Sequence, residues 1–343
     1  MRVLQVDSGR EWRGGQNQVR VLCRELAREP GVEQRLVTKR GSELARVATT
    51  QGTAVTETPW GWGLDPRAWL RLNLTVLDFK PDIVHAHDGH ALFLARHAAG
   101  DARLVATRRV DFHVRRFSSW RRVDRIIAVS RAVQDILAAD GIPATEITVV
   151  PDGIDATEVR GAATQELDVR KRLGLPAGAP VAVNVAALVD HKDQRTLIRA
   201  AAHARPARPD LHWAIAGEGG LRGSLTAEIT RLGLADRVHL LGYVDAIDAL
   251  IREGNVLVMS SKEEGLGSVI LNALALGKPV VATAAGGIRE ILPADALVRV
   301  GDAAALARKV VEALDHPASF PLPPQCTARA MAEGVLAVYR SLV

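Results

Sequence analysis

Cysteine is nearly absent from this 343-residue chain: Cys23 and Cys326 are the whole complement. Two thiols are too few for a disulfide framework or a structural zinc site, which fits a reducing cytosol. Long apolar runs are missing as well. None reaches the roughly 18–20 residues that span a bilayer, and the opening Met1-Arg-Val-Leu-Gln-Val-Asp7 does not read as a signal peptide. Low-complexity tracts and short internal repeats are also missing. What is present is apolar material, 48% of the chain, enough for sizeable cores, so wholesale disorder is excluded. At roughly 150 residues per domain, the length favours two domains over one.

A general excess of one charge is missing too, although the net charge is +5. Residues 1–155 carry +4 and the remainder +1, and within Arg103–Arg125 eight arginines face two aspartates. The chain outside that stretch is near neutral. This is a patch, and a patch implies one anionic partner.

Short apolar strands alternate with helical patterns throughout. They are expected near Arg2–Val6, Arg35–Thr38, Ile83–Ala86, Arg103–Thr107, Arg125–Val129 and Ile147–Val150, with a helix from Gln16 to about Arg28. Buried runs of four to six residues spaced by helices indicate a parallel sheet covered on both faces. The Gly- and Pro-rich Pro151–Pro180 reads as a linker. A second alternation follows, with strands near Val181–Val185, His212–Ala216, Val238–Leu240, Asn255–Met259, Pro279–Ala282 and Ala296–Val300. The fold class is α/β, with two Rossmann-like doubly wound domains facing a cleft: residues 1–156, and residues 157–327. A C-terminal helix within 328–343 is expected to pack on the first domain.

The segment from Ser260 to Thr283 reads strand, glycine-bearing loop, helix, strand. Such a loop exposes backbone N–H groups where the next helix aims its positive dipole end, and both favour a phosphate or pyrophosphate. Glu264 opens the loop, where a carboxylate can accept from sugar hydroxyls. Asn272 lies eight residues later on the helix.

The pattern Glu264-Gly-Leu-Gly-x4-Asn272, followed by Gly277-Lys-Pro-Val-Val-Ala-Thr283 and Ala285-Gly-Gly-Ile-Arg-Glu290, resembles the donor-site signature of the retaining family-4 glycosyltransferases of GT-B fold. Supporting pieces occur in order along nearly the whole chain: Gly14-Gly15, Asp82-Ile-Val-His-Ala-His87, Ile127-Ala-Val-Ser130, Val150-Pro-Asp-Gly-Ile-Asp155, Asp190-His-Lys192, Ala216-Gly217-Glu-Gly219 and Val238–Val244. The resemblance implies a nucleotide-diphosphate sugar donor and no metal or other cofactor. It places Glu264 on the donor sugar, the backbone of Gly265, Leu266, Gly267 and Ser268 on sugar and phosphates, Lys192 on the pyrophosphate, and Tyr243 and Val244 at the base. Gly14 and Gly15 would let the first-domain backbone approach the donor phosphate, and Gly217 completes the donor set. The chain departs from the family at Asn272, where a second glutamate usually holds the ribose, at Ala187, where an arginine is common, and at Arg108-Arg109-Val-Asp111-Phe-His113, where many members carry a histidine directly after the strand.

His87, Arg108, Arg109, Asp111 and His113 are the acceptor-side candidates. The histidines of His85-Ala-His87-Asp-Gly-His90 look like a metal cluster, but no further ligands complete a set, and a site wall or satisfied polar cluster is the preferred reading. The arginine stretch points to an anionic glycan or glycolipid acceptor, or to an anionic membrane surface, against the plain alternative of a solvated charged face. Only Phe112, Phe117 and Trp120 offer stacking there, so nucleic acid is not expected. Trp60, Trp62 and Trp69 read equally as an acceptor platform or a packing cluster. The first strand's loop lacks Gly-x-Gly-x-x-Gly, which argues against a nicotinamide cofactor.

The resulting expectation is a cytoplasmic enzyme, either free or peripheral on the inner face of the membrane, that transfers sugar with retention of configuration in the biosynthesis of cell-envelope polysaccharide. No paired carboxylates mark a double displacement, so same-face attack with the leaving phosphate as base is the expected route. The rival reading is a non-catalytic nucleotide- or glycan-binding relative of the family.

Overall fold

Strands of mostly four to six residues, buried along most of their length, leave helices to cover both faces of a parallel sheet. The computed structural model describes residues 1–61, 65–114 and 118–343. Trp62, and Arg115, Arg116 and Phe117 of the arginine-rich stretch, lie outside the described residues. The chain divides into two compact units, Met1–Ile154 with Pro324–Val343, and Asp155–Pro323.

The first unit runs β1 (Arg2–Asp7), α1 (Gly14–Leu26), β2 (Glu33–Lys39), α2 (Glu43–Thr50), β3 (Ala54–Thr58), α3 (Pro66–Phe79), β4 (Ile83–Ala86), α4 (Gly89–Ala98), β5 (Arg103–Arg108), β6 (Arg125–Ala128), α5 (Arg131–Ala139) and β7 (Ile147–Val149). All seven strands are parallel, in the order β3-β2-β1-β4-β5-β6-β7. β3 is an edge strand absent from the sequence expectation. Its Ala-Val-Thr-Glu-Thr has no apolar run because only Thr58 is buried.

The second unit runs α6 (Ala156–Ala162), α7 (Val169–Arg172), β8 (Val181–Val185), α8 (Gln194–Ala204), β9 (His212–Ala216), α9 (Arg222–Arg231), β10 (Val238–Gly242), α10 (Ile247–Glu253), β11 (Val256–Met259), α11 (Ser268–Ala275), β12 (Val280–Thr283), β13 (Leu297–Val298) and α12 (Ala303–Asp315). Its six parallel strands are ordered β10-β9-β8-β11-β12-β13. From Asp155 on, the segment expected as a linker is part of this unit. Val159, Leu167 and Val169 are buried, and the Glu253 carboxylate accepts from the backbone N–H groups of Leu167, Asp168 and Val169 at 3.2, 2.9 and 2.6 Å. Glycine and proline mark turns there, and the two short helices between them still find a core.

The final helix, α13 (Ala328–Arg340), packs on the first sheet. Met331, Ala332, Val335, Leu336 and Tyr339 join Val3, Ile83, Val105 and Ile127 in one core. The fit is close, since a Cβ on Gly334 would come within 2.8 Å of Val150 Cγ1. Tyr339 OH also meets His85 Nδ1 at 2.6 Å and accepts from Gln5 Nε2 at 3.3 Å, while His85 Nε2 meets Thr107 Oγ1 at 2.7 Å. The hydroxyl thus links α13 to β1 and β4 through satisfied buried bonds. No described helix is long and apolar enough to cross a membrane.

Candidate functional site

In open parallel sheets the loops at the carboxyl ends of the strands carry the chemistry, and each unit has a cluster there. In the second unit, β8 ends in a turn at Asp190–Lys192 and β11 ends in the loop that opens α11. Lys192 Nζ and Glu264 Oε2 form an ion pair at 2.5 Å, with both side chains largely buried. Ser261 Oγ donates to the same oxygen at 3.2 Å, and Ser260 Oγ donates to the Lys192 carbonyl at 3.0 Å. Asp193, at φ +45°, caps α8 by accepting from Thr196 N at 3.4 Å and also accepts from the Thr196 hydroxyl at 2.7 Å, which fixes the turn that presents the lysine. Cation and anion are thus held together on the loops that follow two adjacent strands.

Gly267 precedes α11 at φ +87°, a left-handed conformation that suits glycine, and a Cβ there would lie 3.1 Å from Ile270 Cδ1 and 3.3 Å from Ile288 Cγ1. Gly267 at the start of α11 makes no side-chain cap, and Ile270 N donates to its carbonyl at 2.8 Å, so the positive end of the helix dipole is turned toward the loop. That is the electrostatic setting an anion takes. Leu266 is buried beneath the loop, and the Glu264 carbonyl accepts from Gly287 N at 3.0 Å. The Gly217 position is dictated by backbone approach: its φ is +143°, and a Cβ would stand 2.0 Å from the Ala186 carbonyl oxygen. Tyr243 is exposed and Val244 half-buried in the loop after β10. Asn272 does not point free into the loop region. It is buried, and its amide donates to Asp248 Oδ1 on α10 at 2.6 Å. Burial pushes the Asp248 carboxyl up, and the Asn272 bond opposes the shift.

In the first unit, Asp7 ends β1 with 1% of its surface exposed. Its carboxylate accepts from Gly9 N at 2.9 Å and from Gln16 Nε2 at 3.2 Å. Burial, and next the Asp88 charge, push its pKa up to about 6, against the pull of those hydrogen bonds and of Arg109. Asp88 caps α4 through His90 N and Ala91 N, both at 2.9 Å, and accepts from the Ser8 hydroxyl at 2.6 Å. Arg109 forms a buried pair with Asp152 at 3.1 Å and donates to the His87 carbonyl at 3.4 Å. His87 Nε2 lies 2.7 Å from Gln5 Oε1. The Gln5 amide nitrogen faces Tyr339, so His87 Nε2 carries the proton and buried Nδ1 is an acceptor without a partner among the described residues. Burial holds both His87 and His85 well below the usual imidazole range, His85 at about 3. Gly14 and Gly15 open α1, which also lacks a side-chain cap. A Cβ on Gly15 would meet nothing nearer than Arg109 Cδ at 3.9 Å, so the protein's own packing does not demand glycine there.

Arg108 and His113, two further acceptor-side candidates, take partners outside the Asp7 cluster. Arg108 stacks over Trp120 at 4.9 Å and donates to the Phe112 carbonyl at 2.6 Å. His113 pairs with Asp140 at 2.7 Å, and Asp111 is half-buried. The arginine stretch is less available than its composition suggests. Arg121 donates to the Asp140 and Gly141 carbonyls, Arg125 to that of Thr145, and Arg103 pairs with Asp124. Trp60 is buried, so it packs rather than forming an open platform. His85 and His87 sit with ring centroids 4.1 Å apart, whereas His90 is exposed on α4. Among the described residues no group of three or more His, Cys, Asp or Glu is placed to hold a metal.

Asp7, Gln16, Asp88 and Asp152 went unread in the sequence. A carboxylate at the end of the first buried strand was the available signal, and Asp152 stands within Val150-Pro-Asp-Gly-Ile-Asp155. A cavity of about 710 Å³ lies at the opposite, N-terminal edge of the second sheet, where His212 Nδ1 and His239 Nε2 are 3.2 Å apart.

Two parallel-sheet units, each with a polar cluster at the strand ends, have the two-domain Rossmann-like architecture of GT-B glycosyltransferases. A glycosyltransferase from Rickettsia africae superposes with a TM-score of 0.82 at 17% identity over 99% of this chain and 98% of that one. Anabaena HepE, solved in complex with UDP and glucose, does so at 0.78 and 22% over 99% and 95%. Residues 12–158 match the family model "Glycosyltransferase Family 4", and residues 165–331 match "Glycosyl transferases group 1". The protein belongs to the family-4, group 1 glycosyltransferases. It is 29% identical to the 2-deoxystreptamine N-acetyl-D-glucosaminyltransferase of Streptomyces fradiae, over 88% of this chain and 82% of that protein. It is 32% identical to the 2-deoxystreptamine glucosyltransferase of Streptomyces kanamyceticus over 58% of this chain, a match spanning only 53% of that relative.

Proposed function

We propose that this glycosyltransferase moves a sugar, with retention, from a nucleoside-diphosphate sugar to a hydroxyl acceptor that is a cell-surface glycan or glycolipid precursor. The observation that carries the reading is the Lys192–Glu264 pair beside the uncapped start of α11. An arriving diphosphate supplies Lys192 with a new counter-ion and frees Glu264 to accept from sugar hydroxyls. Gly265–Ser268 offers backbone N–H groups to the phosphates, and Tyr243 and Val244 meet the base. Asn272 acts through Asp248 and not as a lone ribose contact. The HepE structures with UDP and glucose and with UDP-glucose support the donor class.

In the transfer, the acceptor oxygen forms a bond to the anomeric carbon on the face from which the phosphate leaves. The bond from that carbon to the β-phosphate oxygen breaks, and the hydroxyl proton passes to the departing phosphate. Lys192 and the N–H groups around Leu266–Ser268 stabilise the charge that builds there, each well-placed donor being worth about 3 kcal/mol. No step needs a metal, because these groups take the charge.

For the acceptor, the net positive charge of the arginine stretch supports an anionic molecule, although Arg109, Arg121 and Arg125 are engaged within the protein. A second reading, an amine-bearing acceptor, is favoured by the buried Asp7 with Asp88 beside it, and by the relatives that are named for 2-deoxystreptamine. Incubating the protein with a panel of nucleotide sugars, and with anionic and amine-bearing acceptors, tests both parts by mass spectrometry. Donor consumption with a mass gain on one acceptor class is expected. No consumption of any nucleotide sugar would overturn the donor reading.

A further inference from the structure

The α3 helix, Pro66-Arg-Ala-Trp-Leu-Arg-Leu-Asn-Leu-Thr-Val-Leu-Asp-Phe79, is apolar on two sides. Its inner side, Ala68, Leu72, Val76 and Phe79, is buried against the first unit. Its outer side carries Leu70, Leu74 and Leu77 at i, i+4 and i+7, a single stripe, with 51, 50 and 63% of their surfaces exposed. Trp69 borders the stripe at 38% exposure, its indole N–H donating to the His97 carbonyl at 3.2 Å. A solvated surface helix does not need this stripe, and contiguous exposed apolar faces of this kind mark interaction sites.

The charges around it name the occupant. Both carboxylates of the helix segment already have arginine partners: Asp65 is held by Arg67 at 3.0 Å and Asp78 by Arg35 at 2.8 Å. Arg71 and Lys80 are exposed with no ion-pair partner among the described residues. The stripe is therefore apolar at its centre and cationic at its rim. An anionic bilayer offers hydrocarbon to the leucines, a headgroup boundary to the tryptophan, and negative charge to the rim.

We propose that the outer face of α3 docks on an anionic lipid bilayer, with Leu70, Leu74 and Leu77 entering the headgroup–acyl boundary. The surface lies outside the residues assigned to sugar transfer, so it stands or falls independently of the proposed donor and acceptor. The test is sedimentation of the full chain with vesicles of phosphatidylcholine plus phosphatidylglycerol and with vesicles of phosphatidylcholine alone. Salt-sensitive binding to the first and little to the second is expected. The variant Leu70→Ser/Leu74→Ser/Leu77→Ser should bind at least about tenfold more weakly while melting like the native chain. Arg71→Glu/Lys80→Glu should weaken binding by roughly fivefold per charge and flatten its salt dependence. Leu77→Ser alone, at the most exposed position, covers the case in which the triple variant fails to fold. Absence of native binding, unchanged binding of these variants, or a dimer that the leucine changes dissociate without affecting vesicle binding would each overturn the proposal.

Discussion

Replacing Asp7 with asparagine should make the protein more stable at neutral pH and less so relative to the native chain in acid. The carboxyl is buried, and its pKa is raised from 3.8 to about 6. A raised acid favours the folded state only while protonated. That contribution is fully present below about pH 4, declines as the unfolded chain ionises first, and is gone above about pH 6. Two units correspond to roughly 3 kcal/mol that the native chain forfeits between those limits. Asparagine keeps the shape and an oxygen for Gly9 N, and Gln16 can turn its own amide to match. The variant should therefore melt several degrees higher than the native protein at pH 8, with the gap closing toward pH 4. Calorimetric melting of both proteins between pH 4 and 8, read for the first unit, provides the measurement. An equal melting temperature at pH 8, or a gap that does not change with pH, would mean that the Asp7 carboxylate is not the destabilising charge. A buried charge that lowers stability at the end of a strand is expected to serve the reaction, so sugar transfer should fall in the stabilised variant.

Gly15→Ala should fold and melt like the native protein, because a Cβ there meets only Arg109 Cδ at 3.9 Å, while transfer falls by tenfold or more, about 1.4 kcal/mol; unchanged turnover removes Gly15 from the site. Tyr339→Phe leaves His85 Nδ1 and Gln5 Nε2 without their buried partner and should destabilise the first unit by about 1–3 kcal/mol in denaturant titration, with little effect on the second. His212 and His239 are both held below 6.5 by burial first, His239 next by its neighbour and His212 by Arg237. Their contribution is present above about pH 6.5 and lost as pH falls and the unfolded chain takes up protons. His212→Asn should accordingly reduce the acid sensitivity of second-unit melting below pH 6.

The doubly wound units were legible because parallel strands buried on both faces read as near-continuous apolar runs, as Val181–Val185, interrupted only by Asn184, and Trp213–Ala216 do. The edge strand Ala54–Thr58 escaped because an edge with polar exposed residues has no such run. The Gly- and Pro-rich segment after Pro151 misled for a related reason: punctuation reports turns, and the Glu253 carboxylate that gathers its N–H groups lies more than eighty residues away. The Glu264 loop was legible as a local signature. The partner that Asn272 takes, Asp248, was not, since spacing along α11 says nothing about what α10 brings to it. Likewise, counting arginines in 103–125 could not reveal that Arg121 and Arg125 are engaged with backbone carbonyls.

The central claim is that Lys192 neutralises a departing phosphate. Single-turnover sugar transfer by Lys192→Ala, at saturating donor and acceptor, tests it most directly. The rate should be lower by about 10²–10³-fold, with the fold retained and Glu264→Ala impaired as well. A Lys192→Ala protein that transfers sugar at the native rate would contradict it.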